Sequence, residues 1–332
     1  MIFFINGVYF FWRWAESATN PIPKIQHGKV WSMTKRNVAL PDTAEAGVRG
    51  FIEEVDERLS SSEDTCQVVR EILVDLFGDR EAYEAWRNGE PVSNAALVRL
   101  QSYDPCNVTL ESEYYAEKDE SVFERSKYLQ WLWRQFDATA LADNVEFALR
   151  FRQMLANHLF EEAGDDLRLF KGITMTYGHN IRMGDNTVVH DDVHLDDRGK
   201  LSIGDRVSIS DGVHLYSHDH DVVDQTAVTN FHTIIEDDVR LTFDAMIRAG
   251  CRIGENALVG ARAVVQGDVP AHHIVVGMPA KSVKIKPGFE DLAIPVEESP
   301  DTERSDRVIV KEIPEDIQIF DEFQRDLDQT RS

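Results

Sequence analysis

The stretch IEDDVRLTFDAMIRAGCRIGENALVGARAVV, residues 235–265, places an apolar residue at every sixth position: Ile235, Leu241, Ile247, Ile253, Val259 and Val265. Two positions before each stand Thr233, Val239, Ala245, Cys251, Ala257 and Ala263, all small or apolar. Neither a helix of about 3.6 residues per turn nor a strand that alternates every second residue keeps a strict period of six. A prism with three short flat faces per turn does, because one side chain per face then points inward and stacks on its counterpart one coil away. The same beat occurs earlier as Met183, Val189, Leu195 and then Ile203, Ile209, Leu215, with Ile181, Thr187, Val193, Leu201, Val207 and Val213 in the second lane. Glycine follows the inward residue at Gly184, Gly204, Gly254 and Gly260. A sharp corner is expected to want a residue without a Cβ at that place. The spacing therefore predicts a solenoid over 169–290, entered by a strand from Phe170 to Tyr177.

Two interruptions break the beat. The step from Leu195 to Ile203 is eight residues long and carries Asp196-Asp197-Arg198-Gly199, and the step from Leu215 to Ile235 is twenty and forms a loop over 216–232. Solenoids admit insertions at corners, and such insertions commonly build function. Upstream, residues 34–168 read as an all-helical domain. Val48, Phe51, Ile52, Val55 and Leu59 recur at helical spacing after Pro41-Asp42, and Val68, Val69, Ile72, Leu73, Leu76 and Phe77 follow, ending near Gly78. Further helices are expected over 79–86, 93–100 and 121–136, and a last one, capped by Asn144, runs to Leu159. Their aromatic residues read as a core. Residues 1–33, opening MIFFINGVYFFWRW, are too short an apolar run to span a bilayer and lack the pattern of a signal peptide. They read as an N-terminal arm or as an extension upstream of a start at Met33. The segment 291–332 is an acidic tail in which Val308-Ile309-Val310 reads as a short strand.

Fifty-nine acids against 35 bases give a net charge of -24, spread through every segment. Such a surface repels nucleic acid and anionic membrane. It resembles the surfaces of proteins from salt-accumulating halophiles. Cys66, Cys106 and Cys251 have neither a disulfide-framework nor a metal-site spacing, so the protein reads as cytoplasmic, with no membrane span.

Chemistry concentrates where the long loop opens, at Tyr216-Ser217-His218-Asp219-His220-Asp221, with His190, His194 and His214 nearby or one coil away. Histidine titrates near neutrality and suits a general base acting on a hydroxyl or amine. Three readings fit the cluster: a metal site through His218, Asp219 and His220, a base oriented by a carboxylate or carbonyl, or a polar corner of a surface loop.

The six-residue repeat, this histidine loop and the closing Val276-Gly277-Met278-Pro279-Ala280-Lys281 together resemble the hexapeptide-repeat acyltransferases, in their galactoside, maltose and chloramphenicol-type O-acetyltransferase branch. The resemblance covers residues 173–286. It implies a left-handed parallel β-helix, a homotrimer with active sites between neighbouring prisms, and direct transfer of acetyl from acetyl-CoA to a hydroxyl of a small-molecule or glycan acceptor. It implies no metal. By the same resemblance His220 is the general base, His218 binds the acceptor or supports the base, and Asp219 and Asp221 orient or anchor the loop. Asp196 and Asp197 are the carboxylates nearest the position of an acceptor-binding residue. The cofactor lane would use Thr242, Gly260, Ala261 and Ala263 beside the pantetheine, with Arg262, Lys281 and Lys284 near the phosphates.

Two departures bear on substrates. Arg240-Leu241-Thr242-Phe243 stands where many relatives have Trp-Ile-Gly-Gly, which replaces a sugar-stacking tryptophan by Arg240 and favours an anionic sugar. Gln266-Gly267-Asp268 stands where relatives often have Thr-Lys-Asp, which removes a lysine suited to CoA phosphate. Competing readings on the same fold are a zinc hydratase resembling the prism-shaped carbonic anhydrases, and a scaffold or sensor that has lost activity.

Overall fold

The computed structural model describes residues 2–5, 8–11, 38–224, 227–298 and 304–311. The chain divides after Ala39 into two units. In the first, strands Ile2–Ile5 and Val8–Phe11 pair antiparallel. The reading of 1–33 as an arm or an upstream extension otherwise lies outside the described residues.

The second unit begins with helices α1 (Asp42–Ser60), α2 (Thr65–Phe77), α3 (Arg80–Arg87), α4 (Asn94–Ser102), α5 (Glu120–Asp137) and α6 (Val145–Leu159). The side chain of Asp64 accepts from the Cys66 amide at the start of α2, and Gly78, with φ 71°, ends that helix in the left-handed region. Asn144 holds the N-cap position of α6 as expected, but its side chain makes no capping hydrogen bond. Phe51, Phe136, Phe147 and Phe151 form an aromatic cluster within this core. That core continues without a break into the coils. Arg152 spans the junction: buried on α6, it donates to Asp137 at 2.6 Å and to the Leu169 carbonyl at 3.2 Å, while Asp137 also accepts from the Gly172 amide. Among the described residues no helix is long and apolar enough to cross a membrane.

The coils form a left-handed parallel β-helix with three faces. One face stacks Glu162–Ala163, Ile181–Met183, Lys200–Ile203, Val228–Ile235 and Arg252–Ile253. The next stacks Arg168–Leu169, Val188–Val189, Ser208–Ile209, Arg240–Leu241, Leu258–Val259 and His273–Gly277. The last stacks Thr174–Met175, His194–Leu195, His214–Leu215, Met246–Ile247 and Val264–Val265. Both inward lanes read from the sequence are buried. The solenoid starts earlier than the expected entry strand at Phe170: Ala163, Leu169 and Met175 form a first coil in register with Met183, Val189 and Leu195.

No Cβ fits at the corner glycines, as expected, and the neighbouring coil is the reason. Gly184, Gly204, Gly254 and Gly260 are not the left-handed residues; Asn186, Arg206, Asp238, Asn256 and Arg262 are, with φ of 54–58°. Glycine is needed because the next coil lies directly on it. A Cβ at Gly184 would stand 2.7 Å from the Gly204 carbonyl carbon and 2.8 Å from the Asp205 amide nitrogen. The aspartates above use that closeness. Asp185 and Asp205 accept from the amides of Asp165 and Asp185 at 2.8 Å, and Asp237 accepts from Asp205 at 3.0 Å.

The cysteines make no disulfide framework, but two of the three meet. Asp104 to Asn107 form a turn against the start of α2, which brings Cys66 and Cys106 to a Cα separation of 6.6 Å with their sulfurs joined. Their spacing of 40 residues hid this pairing. Cys251 is a free, buried core residue.

Candidate active site

Both interruptions of the beat stack at one corner, between the last face of one coil and the first face of the next. The first coil contributes a third step there, since Met175 to Met183 is also eight residues. At this corner the Asp196 side chain is 1 % exposed and meets four donors. Its Oδ1 accepts from the Thr176 hydroxyl at 2.8 Å and the Arg198 amide at 3.2 Å. Its Oδ2 accepts from the Ser217 amide at 3.0 Å and lies 2.6 Å from Nδ1 of His218. Burial alone would raise this carboxyl, but the bond and charge of His218, the Ser217 amide and the Thr176 hydroxyl together hold it below the usual aspartate range. A carboxylate against Nδ1 assigns the proton to Nδ1, which leaves the lone pair on Nε2. Among the described residues Nε2 of His218 has no protein partner.

His220 lies two residues further on the strand His218–His220, which pairs antiparallel with Val228–Asn230. Its ring is exposed and meets that of His218 edge to face, at 5.3 Å between centroids. Asp219 is an anchor: it bridges to Arg248 at 3.1 Å and to Arg304 at 2.9 Å. Asp221 accepts from the Val223 and Asp224 amides and shapes the loop turn. Asp197 bonds the preceding coil instead of His218, accepting from the amides of Tyr177 at 2.7 Å and Asn180 at 3.1 Å. It is wholly buried, and burial pushes it up to about 7 against the pull of those two amides.

The other histidines divide. Nδ1 of His194 lies 2.9 Å from the Thr174 hydroxyl, and its ring neighbours those of His214 and Tyr216, each at 5.7 Å. His190 stacks on Phe170 at 5.0 Å. Among the described residues these histidines form no group able to hold a metal within one chain. The group that could is Cys66, Asp104 and Cys106, where the sulfurs are joined and Asp104 pairs with Arg70. Sequence reading missed Thr176, Arg198, Arg248 and Arg304. Thr176 was within reach, since it stands one coil before Asp196 once the repeat is extended upstream.

The residues expected along the cofactor lane are spread over the last coils. The Thr242 hydroxyl donates to the Val259 carbonyl at 2.7 Å. Gly260 lies close under Val276, so a Cβ there would be 2.7 Å from its Cγ1. Ala261 is half-buried beside it, whereas the Ala263 side chain faces the prism interior and can offer a ligand only its backbone. Arg262 is exposed, 3.2 Å from Asp244 and above the Phe243 ring. Lys281 and Lys284, on the closing strand Ala280–Ile285, are exposed and have no ion pair among the described residues.

No protein-family model matches the chain. The chain is 29% identical over 154 residues to WcaF of Escherichia coli K12, named as a colanic acid biosynthesis acetyltransferase, covering 46% of this chain and 85% of that one. It is 25% identical over 137 residues to the galactoside O-acetyltransferase of the same organism, covering 40% of this chain and 68% of that one. Among solved structures, a maltose O-acetyltransferase from Clostridium difficile 630 aligns with a TM-score of 0.45 and 28% identity, over 54% of this chain and 99% of that one. With its six-residue repeat and its three-faced prism, the chain is similar to these hexapeptide-repeat acetyltransferases.

Proposed function

We propose that the protein transfers acetyl from acetyl-CoA to a hydroxyl of a saccharide acceptor, with His218 as the general base. The observation that carries this reading is the 2.6 Å contact between His218 Nδ1 and the buried Asp196 carboxylate. It replaces the expectation of His220 as base. A base needs one ring nitrogen fixed and the other free, and His218 meets both requirements. The acceptor hydroxyl gives its proton to Nε2 as its oxygen attacks the thioester carbonyl carbon. The tetrahedral intermediate then collapses, the C–S bond breaks, and the departing thiolate takes the proton from the imidazolium. The products are an O-acetyl ester and CoA. Asp196 stays ionised throughout and stabilises the transient imidazolium.

The saccharide acceptor is supported by the names of the two Escherichia coli relatives, one of colanic acid biosynthesis and one a galactoside O-acetyltransferase. Lys281 and Lys284 are the proposed phosphate contacts, with Thr242, Gly260, Ala261 and Arg262 along the groove, in a cytoplasmic homotrimer adapted to high salt. In a molecule of net charge -24, exposed lysines are valuable to a polyanionic donor. The test is thiol release from acetyl-CoA in molar KCl. The acceptor panel is galactose, glucose, maltose, p-nitrophenyl β-galactoside and glucuronic acid. Acceptor-dependent release that survives His220→Ala and is abolished by His218→Ala supports the reading. The reverse pattern returns the base to His220, and no release with any acceptor favours an inactive relative.

A further inference from the structure

The corner that carries Asp196 is gripped from outside the repeat. Two residues after Asp196, the Arg198 side chain pairs through Nε with Glu117, and both side chains are about one-tenth exposed, 8 % and 10 %. The Arg198 guanidinium lies over the Tyr115 ring, 3.9 Å from its centroid. Tyr115 and Glu117 belong to the segment between the 3-10 turn Glu111–Tyr114 and α5, in the helical part. Asn230, on the strand that returns from the histidine loop, helps hold the Glu117 carboxyl below its usual range, after burial and Arg198 have acted on it. Lys311 completes the grip, with its Nζ donating to the Arg198 carbonyl at 2.8 Å. The Arg198 amide in turn donates to Oδ1 of Asp196 at 3.2 Å.

We infer that Glu117 and Tyr115 are positioning residues of the acetyl transfer: they fix Arg198 and thereby the orientation of the Asp196 carboxylate toward His218. This makes the helical part a working component of the active corner. A solvent-exposed ion pair would contribute little, but a buried guanidinium that loses its carboxylate must move or carry an uncompensated charge. Either result shifts the Arg198 backbone and loosens one of the four bonds that aim Asp196. Misplacement of a reacting group by about 1 Å can cost on the order of 100-fold in rate. The inference rests on the Asp196–His218 pairing proposed above.

The experiment uses the full chain as wild type, Glu117→Gln, Tyr115→Leu, Asp196→Asn and Glu117→Gln/Asp196→Asn. Thiol release is measured with the fastest acceptor of the panel and with water alone, and circular dichroism reports folding. Glu117→Gln and Tyr115→Leu are expected to lower kcat about 10- to 100-fold with KM for acetyl-CoA within about twofold. In the Asp196→Asn background, Glu117→Gln should add less than about threefold, because both act through one carboxylate. Tyr115→Leu removes the stacking without leaving a charge unpaired, so it decides the matter if Glu117→Gln does not fold. Wild-type kcat in the clamp variants beside a crippled Asp196→Asn overturns the inference and leaves the base assignment standing. A loss that multiplies in full in the double variant also overturns it. An unimpaired Asp196→Asn removes the base assignment, and this inference with it.

Discussion

Replacing Asp196 by Asn tests the site most directly, because it keeps the shape and removes one charge. All four neighbours of the carboxylate can donate to it: the Thr176 hydroxyl, the amides of Arg198 and Ser217, and His218 Nδ1. An amide must turn its NH2 toward one pair of them. Facing His218, it would force the proton onto Nε2 and remove the base. Facing Thr176 and Arg198, it keeps the tautomer but meets the Arg198 amide, and the charge is lost in both cases. Opposite unit charges at about 4 Å and an effective dielectric of about 20 attract by about 4 kcal/mol. At about 1.36 kcal/mol per decade, losing that attraction from the imidazolium transition state slows the reaction about 1,000-fold. The measured loss should fall between about 100- and 1,000-fold, since water and the remaining dipoles recover part of it. The assay is steady-state thiol release near neutral pH, with KM for acetyl-CoA expected within about threefold of wild type. A kcat within about threefold of wild type would refute the assignment of Asp196.

Other consequences follow from the same corner and from the surface. At Gly199, Ala would bring its Cβ to 2.6 Å from the Ser217 carbonyl oxygen and 2.8 Å from the Phe231 nitrogen; urea unfolding should show a loss of about 1–3 kcal/mol, and unchanged stability would contradict the packing described. Asp197, pushed up to about 7 from 3.8, binds a proton more tightly folded than unfolded. Its contribution therefore favours folding increasingly as pH falls from about 7 toward 4 and is lost as pH rises through 7; the Tm difference between wild type and Asp197→Asn should vary across that window, and a constant difference would be contrary. Lys281→Gln and Lys284→Gln should each raise KM for acetyl-CoA by up to about fivefold, as for an exposed charge contact of up to about 1 kcal/mol, with kcat unchanged. With -24 charges to screen, Tm should climb between about 0.1 and about 2 M KCl, and light scattering at the upper concentration should give three times the chain mass.

What could be read from the sequence was what repeats. The inward lanes were visible because each coil imposes the same demand, a small or branched apolar side chain in a narrow interior, at a fixed interval. The helices were visible for a similar reason, in that α2 and α6 bury apolar residues at helical spacing. The coil through Ala163, Leu169 and Met175 was missed because Glu162 and Ala163 look like the end of a helix until paired with Arg182 and Met183. The glycines were found without the neighbour that demands them, since what excludes a Cβ at Gly184 is Asp205, on the next coil. The cysteine pair and the Arg198–Glu117 contact were hidden in the same way, for they join segments whose spacing carries no period.

The choice between His218 and His220 shows where pattern reading stops. Both rings sit in one short motif, and each had an acidic neighbour in sequence, Asp219 or Asp221. Both neighbours are engaged elsewhere: Asp219 with Arg248 and Arg304, and Asp221 with the loop backbone. The carboxylate that does so, Asp196, is 22 residues away and belongs to the previous coil. It reaches His218 because the step after Leu195 is two residues longer than the beat, which carries the chain out at the corner from which the histidine loop leaves one coil later. Shortening that step to six by deleting Arg198 and Gly199 should therefore preserve the prism, as the uninterrupted coils from Ile235 to Val265 do, and abolish transfer. An active enzyme after that deletion would show that the corner insertion does not aim the base.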